Sequence, residues 1–453
     1  MTLGIESKND VPPGGFAFAL ISATVFALPT FVPGDYAGWT LRIWCVLLTI
    51  VGLKDHRDWM TGDASRIWIR CVIALLISYA LSTISARALG TGALDTAITE
   101  DFKVSIYYAL SIGLTAACAN PRVRRVVILT VIFSGFAVAG FSALMLLSYT
   151  GFSLTFDDVR AAKFILLDRY GLAFNSTVHI GILGLILLSA LNVSNIVKFG
   201  CAVLFVGLAI ITAARTPLGA LALSIFFLGG KWVFDRSTNK QRIYFAVILT
   251  TLPILYVLFL DTQTILKLAI AIDSVLAGRA ELWLAAAQAF LQSPIFGTGP
   301  GSWHIIVPLF VPKIATIFMG NIDAALTITS GGYHSMLVTA LAERGITGLI
   351  TVALSLFLIL RIAFKIRANS IFFQDQTDQR IARIMPLLWL YISIRGLFEE
   401  SGIFGRANAD VDFIALILLG LTLCYGDNLN SVTNTHSAQN TSLPFAPPFP
   451  KQS

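Results

Sequence analysis

The 453-residue chain contains very little charge. Lysine, arginine, aspartate and glutamate together make up 13% of the residues, about half of the share found in soluble globular domains. Hydrophobic residues make up 56%, and the mean hydropathy is +0.79. Apolar runs of about 20 residues, long enough to cross a hydrocarbon core as helix, recur along the sequence. This composition excludes an ordinary soluble domain and predicts an all-α, polytopic membrane protein.

Common signatures of soluble enzymes and metalloproteins are absent as well. The five cysteines lie inside or at the edges of apolar segments without a close pair or a Cys/His cluster, which argues against a disulfide framework or a structural zinc site. The chain has no P-loop, no His-Glu-x-x-His and no Gly-x-Ser-x-Gly. We therefore expect no metal and no cofactor. The formal charge of +7 is distributed over short loops, so nucleic acid is not an expected partner.

Twelve apolar segments are predicted to span the membrane. They lie at residues 15–33, 37–53, 66–84, 104–119, 126–149, 177–194, 197–214, 217–234, 243–260, 335–364, 384–398 and 409–425. The tenth is longer than one bilayer, so part of it is expected outside the membrane. We expect residues 1–150 to hold the first five spans, residues 151–425 to form a second membrane region, and the polar residues 426–453 to be a disordered tail.

The basic residues between these segments predict the orientation. If the spans alternate, the basic loops all fall on one side of the membrane: Lys54, Arg57, Arg122, Arg124, Arg125, Lys198, Lys231, Arg236, Lys240, Arg242, Arg361, Lys365, Arg367, Arg380 and Arg383. The positive-inside rule makes that side the cytoplasm and places both termini there. The opposite side then carries one large loop, residues 261–334, between spans 9 and 10.

The large loop has features of an ordered structure. Residues 274–297, "SVLAGRAELWLAAAQAFLQSPIFG", carry apolar side chains at helical spacing and predict an amphipathic helix that ends at Pro294. The following "GTGPG", residues 297–301, predicts a tight turn.

Three residues at the outward edges of the spans are candidates for chemistry. Arg215 ends an apolar run on the side where positive charge is disfavoured, so it is either a snorkelling interfacial residue or an anion-binding guanidinium. Arg279, in the large loop, is either a solvated residue at a helix end or a ligand contact. His334 precedes the tenth span and is either structural or a general base.

Two further arginines leave the same choice open. Arg395 lies within the eleventh span close to Glu399, so a structural ion pair is as plausible as substrate binding. Arg169 stands beside Asp168 in an outward loop and allows the same two interpretations.

Five stretches in a fixed order resemble the O-antigen ligase and polysaccharide polymerase family of membrane glycosyltransferases. They are "RYGLAFNSTVHIG" (169–181), "AARTPLGAL" (213–221), "GRAELWLAAAQAFLQSPIFGTGPGSW" (278–303), "YHSMLVTALAERGITGL" (333–349) and "LFEESGIF" (397–404). The more specific part is Gly-Arg-x-x-x-Trp and Pro-x-x-Gly-x-Gly, followed by a histidine with glycines eleven and fourteen residues later. Two positions depart from the family pattern: Ser335 often corresponds to asparagine, and Ala214 to serine.

The resemblance implies transfer of a glycan from undecaprenyl pyrophosphate to an acceptor hydroxyl, at the periplasmic face of the bacterial inner membrane, without a metal. Residues 151–425 would be the catalytic region, in which Arg215 and Arg279 hold the pyrophosphate and His334 activates the acceptor. Other residues are expected to bind or position the substrate: Arg169, Trp283, Arg395 and Gly299. Implied partners are the lipid-linked donor, a glycan or lipid A-core acceptor and membrane lipids, with a chain-length regulator and a flippase as further candidates.

Two activities within the family, and one outside it, remain open from the sequence. A polymerase would extend exopolysaccharide or surface polysaccharide repeats, and the "LFEES" stretch favours this activity. An O-antigen ligase would attach finished polymer to lipid A-core. A transporter of polysaccharide or lipid-linked sugar is the alternative from another class, although the chain lacks visible repeated halves and matched broken spans.

Overall fold

The computed structural model describes much of the chain as an all-helical protein. The described residues are 13–27, 35–54, 62–90, 94–151, 155, 158–159, 161–163, 165–166, 174–212, 214–236, 279–306, 308–309, 333–399, 404 and 409–441. Among them no residue lies in a strand. The structure therefore confirms the predicted all-α class.

Twelve long helices account for the described segments. They are α1 (Pro13–Ala27), α2 (Asp35–Lys54), α3 (Asp63–Leu89), α4 (Leu94–Cys118), α5 (Pro121–Thr150), α6 (Phe174–Ala190), α7 (Asn195–Ile211), α8 (Arg215–Arg236), α9 (Arg279–Gln292), α10 (Met336–Ala368), α11 (Gln376–Phe398) and α12 (Ala409–Thr441). The helix α9 is the amphipathic helix expected in the large loop, and it ends two residues before Pro294.

The other eleven helices lie where apolar segments were predicted to span the membrane. The remaining predicted segment, residues 243–260, lies outside the described residues. By length and composition α3, α5, α10 and α11 are each able to cross a bilayer, and shorter apolar helical segments lie in α1, α6, α7, α8, α9 and α12. The protein is therefore a multi-pass membrane protein.

One end of the helical bundle gathers several of the basic loops. Arg124 and Arg125, at the start of α5, form ion pairs with Asp378 and Asp375 at the start of α11, over 2.5 and 2.8 Å. The backbone amide of Thr377 and the Arg125 guanidinium lower the pKa of the Asp375 carboxyl. These contacts place the α4–α5 and α10–α11 connections on the same side of the molecule, as alternating spans require.

The part of α12 around Asp427 also lies at this end of the bundle. A disordered tail was predicted from residue 426, but the helix continues as far as Thr441. Asp427 accepts hydrogen bonds from the backbone amides of Ala64 and Ser65, over 3.0 and 3.1 Å, and from the Ser65 hydroxyl. The N-cap residue of α3, Gly62, has no side chain that could do this. Asp427 therefore caps α3 from a distant part of the chain, which holds the first residues after 426 in the fold.

At the opposite end, α10 is interrupted at Gly345, whose φ of 64° and ψ of −158° are outside the helical region. The break separates a short segment, residues 336–344, from residues 346–368, which are about 34 Å long at 1.5 Å per residue and can span the bilayer alone. This division agrees with the expectation that part of the tenth segment lies outside the membrane.

The "GTGPG" turn packs directly against this break. Thr298 and Gly299 donate their amides to the carbonyls of Ala342 and Glu343, over 3.2 and 3.0 Å. In return, Ile346 donates its amide to the carbonyl of Pro294, over 2.9 Å. The turn and the broken helix therefore form one interlocked unit, which fixes the short segment of α10.

Replacement of Gly345 by alanine should destabilise this unit. Its backbone conformation is essentially restricted to glycine, which corresponds to a penalty of about 1–3 kcal/mol for another residue, and a Cβ would lie 2.5 Å from the backbone of Ile295. We expect thermal unfolding of the detergent-solubilised protein, followed by tryptophan fluorescence, to show a clear loss of stability. Gly207→Ala is the matched control because a Cβ there meets nothing within 4 Å. Equal stability of the two variants would contradict the interlock.

Candidate functional site

The three residues proposed for chemistry lie at the beginnings of three helices. Arg215 is the first residue of α8, Arg279 is the first described residue of α9, and His334 stands two residues before α10. Helix N-termini carry a partial positive charge and amides without intrahelical partners, so they favour anions. The start of α8 is therefore suited to a negatively charged group. The side chains of Arg215 and Arg279, and the whole of Arg169, lie outside the described residues.

His334 has an unusual backbone conformation. Its φ is 51°, the only positive φ at a non-glycine position in the part of the chain that the structure describes, and left-handed backbone is uncommon for such residues. Ser335 follows as the N-cap of α10, and its hydroxyl accepts a hydrogen bond from the amide of Val338. The bend at His334 thus turns the chain immediately before the helix begins.

The imidazole of His334 lies next to a carboxylate. Its Nδ1 atom is 3.8 Å from Oε2 of Glu399, and the two side chains are 24% and 12% exposed. The other carboxylate oxygen, Oε1, accepts a hydrogen bond from the Asn175 amide over 3.3 Å. Since Asn175 is the second residue of α6, Glu399 directly follows α11 and His334 precedes α10, three helix ends meet at this point. These residues come from three of the five stretches on which the family resemblance rests.

A buried polar group continues from Glu399 along α11. Tyr391, Arg395 and Glu399 follow one another at intervals of four residues, which places them on one side of the helix. His179 of α6 faces this row: its Nδ1 is 2.9 Å from the Tyr391 hydroxyl, and the two rings stack with centroids 5.2 Å apart. Arg395, between Tyr391 and Glu399 in this row, is only 2% exposed. The row therefore includes a buried guanidinium.

Trp283 connects α9 to the segment that carries His334. Its indole nitrogen donates a hydrogen bond to the carbonyl of Tyr333 over 3.1 Å, so it holds the peptide immediately before the histidine. Arg279 lies one turn earlier on α9. A buried apolar cluster, formed by Leu282, Ala285, Ala286, Ala289, Ile306, Tyr333 and Ala342, packs α9 against α10. The structure thus brings the backbone of Arg279 and the side chains of Trp283 and His334 to one region.

The helix that begins at Arg215, α8, packs against α11, the helix that Glu399 follows. The turn before α8 is held by Lys163, whose ammonium donates a hydrogen bond to the carbonyl of Thr212. Ala214, at the position where the family often has serine, is fully buried. Small size is therefore the property that the packing requires at residue 214.

Gly299 has a structural explanation in its own surroundings. Its φ is 110°, and a Cβ at this position would lie 2.5 Å from the Cβ of Ala86 in α3. Together with its amide bond to Glu343, this places Gly299 in the contact between α3 and α10. The structure thus gives Gly299 a role in packing, and the substrate contact expected for it stays a prediction.

Sequence reasoning missed three residues in the site. Asn175 and Glu399 stand inside stretches that were already singled out, but their pairing with His334 has no sequence signal. Arg344, at the end of the short segment of α10 that follows His334, is buried: it donates a hydrogen bond to the carbonyl of Phe404 over 2.8 Å and lies over the ring of Tyr79 at 4.2 Å. An arginine inside an apolar helix is rare enough to have been found from the sequence.

No group of three or more His, Cys, Asp or Glu side chains is arranged to hold a metal among the residues that the structure describes. The imidazole of His334 and the carboxylate of Glu399 lie 3.8 Å apart. The arrangement can therefore accept and hold a proton, beside helix ends suited to an anion.

Comparison with known families identifies the central part of the chain. Residues 200–353 match the family model described as O-Antigen ligase. The match includes Arg215, Arg279 and His334, and it confirms the family resemblance predicted from the sequence. A comparison with curated protein sequences gives no match.

The bond from Trp283 should control the local stability of the histidine segment. In Trp283→Phe the ring is largely kept, whereas the carbonyl of Tyr333 loses its donor, at a cost of about 1 kcal/mol. We expect roughly fivefold faster amide hydrogen exchange in a peptide covering residues 333–341, with no change in peptides from α5. Trp39→Phe, at a ring that is 56% exposed, is the control. Unchanged exchange in Trp283→Phe would exclude a role of the bond in holding His334.

Proposed function

We propose, on the basis of the match of residues 200–353 to the O-antigen ligase family model, that the protein is a metal-independent glycosyltransferase that uses undecaprenyl-pyrophosphate-linked glycans. It transfers the glycan to an acceptor sugar hydroxyl at the periplasmic face of the bacterial inner membrane. The observation that carries this proposal is the meeting of His334, Glu399 and Asn175 beside α9, the helix that begins at Arg279.

The proposed topology has twelve spans, with the periplasmic loop of residues 261–334 between spans 9 and 10 and both termini in the cytoplasm. Support comes from the separation of charge along the bundle. The pairs between α5 and α11 lie at one end, and the group around His334 lies at the other. The positive-inside rule then assigns the first end to the cytoplasm and the second to the periplasm. Residues 151–425 form the catalytic region in this proposal.

In the proposed reaction, the acceptor oxygen attacks the anomeric carbon of the donor glycan. The bond between that carbon and the pyrophosphate oxygen breaks, and its electron pair stays on the leaving pyrophosphate. The hydroxyl proton passes to His334 as general base. Arg215 and Arg279, each at a helix N-terminus, stabilise the negative charge that grows on the leaving group. Guanidinium groups bind phosphate in a bidentate manner, so the site requires no metal.

The remaining candidate residues support this arrangement. Trp283 positions the histidine segment, and Gly299 shapes the turn that packs on α10. Arg395 acts from its buried position beside His179, and Arg169 is proposed as a donor contact because it lies in the same stretch as Asn175. Substrate partners are the lipid-linked donor and the acceptor within the membrane, and we propose a flippase and a chain-length regulator as protein partners.

We propose polymerisation of exopolysaccharide or surface polysaccharide repeats as the activity, since the site includes Glu399 of the "LFEES" stretch. Ligation of finished polymer to lipid A-core is the second candidate, favoured by the description of the matching family. Both reactions use the same donor chemistry and differ in the acceptor.

Loss of any one of the three proposed catalytic residues should abolish transfer. We expect Arg215→Ala, Arg279→Ala and His334→Ala each to lower the rate at least about 100-fold, the usual effect of removing one charge-stabilising or acid–base group. Arg279→Lys should also fail, because an ammonium cannot form the bidentate contact. The measurement is product formation by purified protein from a lipid-linked repeat.

Membrane abundance should stay normal in these variants, and Arg122→Ala, at an exposed position on the opposite end, is the control. Full activity in one of the three alanine variants would exclude that residue from the mechanism. Full activity in Arg279→Lys would show that a bidentate contact is not required.

A strain without the gene separates the two activities. If single repeats persist on their lipid while long chains disappear, as we expect, the protein is a polymerase. If long chains accumulate on undecaprenyl pyrophosphate without reaching lipid A-core, it is a ligase. A gel of cell-surface glycolipid and secreted polysaccharide gives this result, and an unchanged pattern would favour a transporter instead.

A further inference from the structure

We propose that Glu399, held by Asn175, is a positioning residue that orients the imidazole of His334 and stabilises its protonated form during transfer. The inference rests on the proposed function, because it assigns a role to a carboxylate beside the general base of that reaction. It concerns a pair of residues that sequence reasoning did not connect.

The two oxygens of Glu399 have different partners. Oε1 accepts a hydrogen bond from the Asn175 side chain over 3.3 Å, and Oε2 faces Nδ1 of His334 at 3.8 Å. The Asn175 amide thus contacts one oxygen of the carboxylate, while the other oxygen faces the imidazole. The carboxylate is therefore placed as a carboxylate–histidine pair requires, with its geometry set by a third side chain.

The position of Glu399 on a rigid element makes this orientation reproducible. Glu399 is the C-cap of α11, with extended backbone angles of −139° and 145°, and Asn175 is the second residue of α6. The two helices pack against each other along the row that includes His179 and Tyr391. A side chain at the end of a packed helix is held more accurately than one on a free loop.

The pairing selects the proton arrangement that a base needs. A carboxylate beside Nδ1 favours the tautomer that carries hydrogen on Nδ1, which leaves the lone pair on Nε2 for the incoming proton. The separation of 3.8 Å is longer than a hydrogen bond, and catalytic bonds of this kind often tighten only when substrate binds. Nε2 of His334 is thus the atom assigned to the acceptor hydroxyl.

The proton balance of the reaction explains why a carboxylate is useful there. As the acceptor O–H bond breaks, its proton moves to Nε2, while the acceptor oxygen bonds to the anomeric carbon and the pyrophosphate leaves with the electron pair. His334 becomes an imidazolium beside Glu399, which is only 12% exposed and therefore poorly screened by water. The imidazolium later returns its proton to solvent or to the pyrophosphate.

A further charged side chain lies on α11. Arg395 stands one turn before Glu399 and is buried. A cation near an imidazole opposes its protonation, and a carboxylate beside the imidazole acts in the opposite direction. The carboxylate of Glu399 therefore offsets the effect of Arg395 on His334.

The test is the pH dependence of transfer by the purified full-length protein in lipid nanodiscs, with a lipid-linked repeat as substrate. In Glu399→Gln we expect kcat to fall at least tenfold while KM stays within threefold. We also expect the acidic limb of the pH profile to move to lower pH, because the imidazolium loses its neighbouring charge. Glu399→Asp should recover part of kcat, and Asp375→Asn, at the opposite end of the bundle, should behave like the wild type.

Other outcomes would overturn the inference. A kcat within threefold of wild type, or a loss of activity with an unchanged acidic limb, would mean that Glu399 only ties the helices together. If Glu399→Gln does not accumulate in the membrane, Asn175→Ala provides the same readout, with a smaller loss of kcat and a shift in the same direction. Absence of transfer by the wild-type protein, or full activity of His334→Ala, would instead remove the proposed function.

Discussion

The 297–301 turn and the broken helix α10 exchange backbone hydrogen bonds. In a continuous helix the amides of Ile346 and Thr347 would donate to the carbonyls of Ala342 and Glu343. Here those two amides donate to the carbonyls of Pro294 and Ile295, and the two carbonyls accept from Thr298 and Gly299. Irregular backbone near a membrane is tolerated only where its polar groups find such partners within the protein. The exchange therefore permits the break, and the break sets the direction of the segment that His334 begins.

Much of the fold could be predicted because the bilayer imposes a length on apolar segments. Helices were found at eleven predicted segments, and α9 ends before Pro294 as the proline indicated. The end of α12 could not be predicted, because the polar composition after residue 426 favours disorder. Only the tertiary contact of Asp427 with the start of α3 explains why the chain stays ordered there.

The candidate site was predictable only in part, because some of its contacts join residues that are far apart in the sequence. A residue that begins a helix after an apolar run or a glycine pair can be recognised locally, which led to Arg215, Arg279 and His334. The bond between Asn175 and Glu399 joins residues 224 positions apart. Such a contact depends on how α6 and α11 are aligned, and hydrophobic periodicity specifies which side of a helix is buried without specifying its partner.

The ends of the helices give the proposed site a direction. In the proposed reaction, Arg215 and Arg279 bind the donor pyrophosphate, and the dipole of α8, which begins at Arg215, adds to their positive charge. The proposed acceptor side lies at the C-terminus of α11, where the dipole adds to the charge of Glu399 and favours an imidazolium. Negative charge would develop on the leaving group while positive charge develops on His334. A charge separation of this kind would perform the electrostatic task of a metal ion, and it requires that the carboxylate and the arginines lie on opposite sides of the reacting carbon.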